Sequence, residues 1–99
     1  MATAATLRRV DVNLRSIKDE VDFLPTLADT WDSLSEDNQL TYLIEWSELM
    51  DRLCNLAKTY SSDKMTPAQQ ARYKALLTKL TENKPIIERL ELRLPPVLI

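Results

Sequence analysis

From Thr6 onward, the apolar residues Leu7, Val10, Leu14, Ile17, Val21 and Leu24 recur at intervals of three and four. That spacing keeps side chains on one face of a helix with about 3.6 residues per turn. Five intervals in register predict a helix over about 6–24 with a coiled-coil-like seam. Pro25 has no amide and crowds the turn before it, so it is expected to end or kink this helix. The pattern resumes in phase at Ala28 and Trp31, with Leu27 and Leu34 beside it. This predicts either a short helix over about 26–34 or one kinked helix.

A second seam runs through Leu43, Trp46, Met50, Leu53, Ala57 and Tyr60, again in threes and fours. Ser35 is a suitable N-cap, and Glu36 and Asp37 place negative charge at the positive end of the helix dipole. Neither Pro nor Gly interrupts the stretch, so a helix over about 36–60 is expected. Leu49, Leu56 and Cys54 widen its apolar arc to about 160°, more than a surface helix needs. It is therefore expected to be the central helix of a bundle, with Trp46 at the core. Glu45, Glu48, Asp51, Arg52 and Asn55 form its polar face, and Glu48 and Arg52 have the spacing of a favourable pair. Leu40 and Ile44 fall outside the arc, one turn apart. They are expected to meet either the short helix ending at Leu34, the preferred reading, or another chain.

Residues 61–65 read as a loop, and Thr66-Pro67-Ala68-Gln69 as a helix start. Threonine caps, proline takes the first helical position and glutamine completes a capping box. Tyr73, Leu76, Leu77 and Leu80 line one face of a helix over about 66–83. Pro85 breaks or bends it, and Ile87, Leu90 and Leu94 keep the phase through a further segment over about 85–93. Leu90, Leu92 and Leu94 also alternate like a strand, but a lone strand has no partner. The expected fold is all-α, a small bundle of three main helices with short extra helical segments, in a single domain over 1–99. Residues 1–5 are expected to fray. Residues 94–99 form an extended apolar tail, since Pro95 and Pro96 forbid a helix there. Val97, Leu98 and Ile99 are expected to dock into an apolar groove of this bundle, of a second copy or of a partner.

Composition narrows the function. Ninety-nine residues with a 44% apolar fraction suit one ordinary core. Glycine is absent, which removes Gly-rich phosphate-binding loops. Histidine is absent too, which excludes imidazole catalysis and His-ligated metal sites. The single cysteine, Cys54, forms no internal disulfide and reads as a small apolar filler in a reduced compartment. The N-terminal residues lack a signal-peptide core and no apolar run approaches a membrane span, so a cytoplasmic location is expected. The net charge of −2 does not favour nucleic acid. Charge is segregated, however. Residues 19–51 hold ten acids and no Lys or Arg, while 52–93 hold nine bases against four acids. Such blocks either steer antiparallel helices and subunits into register or are simply solvated, which is the preferred reading.

Glu45, Glu48 and Asp51 are the sharpest candidates for chemistry, since carboxylates three apart on one helix can share a Mg²⁺ ion. The stretch resembles half of the paired acidic site of all-helical nucleotide pyrophosphohydrolases. Asp19 with Asp22, or Glu88 with Glu91, would have to supply the other half, and neither follows at the expected place. Arg72, Lys74 and Lys79 with Tyr73 are candidates for touching nucleic acid. A solvated face is the preferred reading of both sets, so no cofactor or metal is expected. The preferred function is a non-enzymatic interaction or assembly module, self-associating as a homodimer or binding another protein. A Mg-dependent nucleotide hydrolase is the first alternative, and a nucleic-acid-associated regulator the second.

Overall fold

The computed structural model describes residues 3–96, and all regular elements among them are helical. They are α1 (Ala4–Thr30), a single 3-10 turn at Trp31–Ser33, α2 (Glu36–Ser61), α3 (Pro67–Glu82) and α4 (Lys84–Arg89). The all-α bundle with short extra helical segments is thus the fold.

α1 departs from expectation at both ends. Thr3 caps it by accepting from the Thr6 amide, so Ala4 and Ala5 are helical rather than frayed. It also continues past Pro25, which lies inside the helix, so the stretch is one helix and no separate helix over 26–34 exists. The proline withholds one ladder hydrogen bond, at a cost of about 3 kcal/mol. Helix continuation buries Leu27 and Ala28 beyond it, each apolar side chain of leucine size contributing about 1.5–3 kcal/mol. Pro25 itself is exposed, so its ring displaces no core side chain.

The central helix is α1, not α2. α1 packs against α2, α3, α4 and the 3-10 turn, and its seam residues Val10, Leu14, Ile17, Val21 and Leu24 are all buried. Its 27 residues span about 40 Å, most of the 47 Å long axis of the molecule. α2 runs antiparallel to it, since Tyr42 meets Glu20 while Asn55 shares a cleft with Arg9. α3 runs parallel to α1, because Gln69 reaches Leu7 and Asp11 while Lys79 reaches Asp22.

The broad arc of α2 has a different use from the one its width suggests. Trp46, Met50, Leu53 and Leu56 are buried in the core, and Leu43, Leu49, Ala57 and Tyr60 pack at its margin. Cys54 is half-buried, consistent with a filler. One edge of the arc meets α1 and the other meets the C-terminal segment. There Trp46 Nε1 donates to the Arg93 carbonyl at 2.9 Å, and Arg93 donates to Ser47 and Asp51. Tyr60 and Tyr73, with ring centroids 4.9 Å apart, join α2 to α3.

The capping box at the start of α3 is present in full, with Thr66 accepting from the Gln69 amide and Gln69 from the Thr66 amide. After α4 the chain turns rather than continuing as helix to residue 93. The Leu92 amide bonds the Ile87 carbonyl and the Glu91 amide bonds the Glu88 carbonyl, which is a Schellman closure. Leu92 and Ile87, its apolar pair, are both buried. α2 ends in the same way, with Lys64 on Thr59 and Asp63 on Tyr60. Each closure needs a left-handed residue, and this glycine-free chain uses Asp63 (φ 58°) and Glu91 (φ 57°). Asp tolerates that region better than Glu. Glu91→Gly is therefore expected to stabilise the fold by about 1 kcal/mol and Asp63→Gly by less. Thermal melts of the two variants check both the gain and its order.

Candidate interaction surface

Among the described residues four large apolar side chains stay at the surface: Val12 and Phe23 on α1, and Leu40 and Ile44 on α2. Leu40 and Ile44 are 57% and 55% exposed. The preferred expectation for them is overturned, because Leu34 packs against the core instead of folding back over them. With Ser47 and Asp51 they continue one stripe at spacings of four, three and four, so the Arg93 clasp sits at the far end of the same face. Val97, Leu98 and Ile99 lie outside the described residues. The part of the tail that is described is anchored, with Pro95 buried and Leu94 packed at the core margin.

Val12 and Phe23 escaped sequence reasoning because neither belongs to the seam of α1. Eleven residues apart, they fall within about 20° of each other around the helix. They flank the side of α1 that neither α2 nor α3 covers, since Glu20 marks the α2 edge and Asp11 and Asp22 mark the α3 edge.

The acidic candidates divide. Glu45 and Glu48 line a cleft of about 380 Å³ between α1 and α2, facing Asp19 and Glu20, with Tyr42, Trp46 and Arg52 completing it. Asp51 is not in that cleft. It pairs with Arg93 at 2.8 Å on the other side of α2, so the three carboxylates do not converge. Among the described residues no group of three or more acids or cysteines is placed to hold a metal ion. Glu48 and Arg52 make no ion pair either; the ion pairs of the described residues lie elsewhere. Tyr42 donates to Glu20 at 2.9 Å, and burial with that bond pushes its hydroxyl far above the ordinary tyrosine range. This hydroxyl holds α1 to α2 as a neutral donor.

The basic candidates are mostly engaged. Tyr73 is buried against Tyr60, which removes it as a base-stacking platform. Arg72 pairs with Asp11, and Lys79 with Asp22. Asp22 also takes Lys18 of its own helix, and hydrogen bonds from the two lysines hold its carboxyl below the usual range. Its small contribution to stability is present at neutral pH and lost as pH falls through the carboxylate range. Segregated charge thus forms exposed pairs between parallel α1 and α3 and between α2 and the C-terminal segment, whereas simply solvated faces are the preferred sequence expectation and antiparallel steering its alternative. Asp29, Asp32, Glu36 and Asp37 remain solvated.

No family model matches the chain, and no curated protein or solved structure matches it either. No helix of the described residues is long and apolar enough to cross a membrane.

Proposed function

We propose that this chain is a non-enzymatic interaction or assembly module that self-associates. The observation carrying that reading is the pairing of its exposed apolar side chains. Single exposed leucines are ordinary on a protein surface, but Leu40 with Ile44, and Val12 with Phe23, each share one helical face. Both pairs are about half exposed or more, beside a core that already buries every seam residue from Val10 to Leu24. Covering such faces is a favourable term open only to a partner.

Sedimentation equilibrium at micromolar concentration is expected to give about twice the 11.4 kDa chain mass. A monomer at every accessible concentration removes self-association. A melting temperature raised by Mg²⁺, with the rise abolished in Glu48→Ala, would instead favour the hydrolase alternative.

A further inference from the structure

We infer that the free face of α1 pairs antiparallel with α1 of a second copy, setting Val12 of each chain against Phe23 of the other. This rests on the self-association proposed above and specifies its surface. Val12 and Phe23, 50% and 45% exposed, lie about 16 Å apart along the helix on nearly one line. A two-fold axis level with Ile17 and Lys18 carries each onto the height of the other.

Charge selects the direction. Arg8 and Arg15 in the first half of α1 and Asp19 and Asp29 in the second are exposed. None of the four makes an ion pair with any described residue. Arg8, Arg15 and Asp29 lie on the α3 side of the Val12–Phe23 line by the helical period, and Asp19 lies about 20° from Val12 on that side while also bordering the α1–α2 cleft; an antiparallel two-fold pair brings like edges together. Arg15 then meets Asp19 of the second copy within about 1.5 Å along the axis, and Arg8 meets Asp29 within about 3 Å. Parallel two-fold pairing would instead set this edge against the opposite edge of the second copy, placing Arg8 beside Arg9 and Asp19 beside Glu20, which is repulsive. Glu45 and Glu48 border the other edge, where two copies bring like charges near one another; neutralising both as Glu45→Gln/Glu48→Gln tightens the pairing.

The test combines charge reversal with cross-linking. Arg15→Glu weakens the dimer about tenfold by sedimentation equilibrium, because both symmetric pairs turn repulsive. Arg15→Glu/Asp19→Arg restores it. On a Cys54→Ala background, mixed Val12→Cys and Phe23→Cys chains form a disulfide-linked heterodimer under mild oxidation, while Val12→Cys alone does not. All these positions except Cys54 are exposed, and a cooperative melt confirms that each variant is folded. A dimer that ignores Arg15→Glu and gives no mixed cross-link overturns this face but leaves self-association standing. A wild-type monomer overturns both.

Discussion

Trp46→Ala is expected to lower the unfolding free energy by about 3–5 kcal/mol. Two losses combine in it. The indole is 1% exposed and packs within the core between α1 and the C-terminal segment, so removing it leaves a cavity. Its Nε1 also donates to the Arg93 carbonyl in a part-buried hydrogen bond, and losing such a bond costs about 0.5–1.5 kcal/mol. Trp46→Phe keeps most of the ring volume but not the donor, and is expected to cost about 1–2 kcal/mol. Against a stability of about 5–15 kcal/mol for a domain of this size, the alanine variant should sit near the edge of folding. Urea melts of the two variants measure both terms. A loss under about 1 kcal/mol for Trp46→Ala would show that the indole is not part of the core.

Gln69→Glu should be the second most damaging change, although a capping box accepts either residue. Gln69 is 4% exposed. While its Oε1 accepts from Thr66, its Nε2 donates to the Leu7 carbonyl at 3.0 Å and to Asp11 at 2.9 Å. Glutamate keeps the acceptor, deletes both donations and sets a second carboxylate against Asp11. The expected cost at neutral pH is about 2–4 kcal/mol, against about 1–2 kcal/mol for Gln69→Ala. The new carboxyl is easier to protonate in the folded state than in the unfolded chain. Its penalty is therefore absent below the unfolded value, about 4.3, and grows as pH rises above it. Denaturant melts at several pH values should show that trend. If Gln69→Glu is no worse than Gln69→Ala at neutral pH, the Asp11 contact is not the clamp.

The same two residues show what the sequence makes legible. Trp46 stands mid-arc in a three-four repeat, so periodicity alone places it in the core. Thr66 and Gln69 form a local motif four residues long, so the helix start is equally plain. The reach of Gln69 across to Leu7 and Asp11 depends on which helices lie side by side, and no local pattern carries that. Pro25 misleads for the same reason, since the packing of Leu27 and Ala28 outweighs a local penalty. The breadth of α2's arc suggested a central helix because width counts neighbours without identifying them; one neighbour proved to be the segment around Arg93. Of the surface candidates, Leu40 and Ile44 could be found by their departure from the arc. Val12 and Phe23 carried no such signal, because eleven-residue spacing becomes a shared face only once α2 and α3 have occupied the flanks. Asp51 parted from Glu45 and Glu48 because a step of three around a helix drifts far enough to cross from one groove to the next.

The bond from Trp46 to Arg93 joins positions 47 residues apart, and it sets an order of events during synthesis. At about 5–20 residues per second, Arg93 is added roughly 2–9 s after Trp46. Through that interval α1 and α2 can form their hairpin, yet the indole has no acceptor and the far edge of α2 has no cover. The nascent chain thus leaves Trp46 uncovered on that edge until the segment around Arg93 has been made. A product cut short before Arg93 keeps Trp46 uncovered on that edge, which makes it a substrate for holdase chaperones and proteases rather than a smaller working domain.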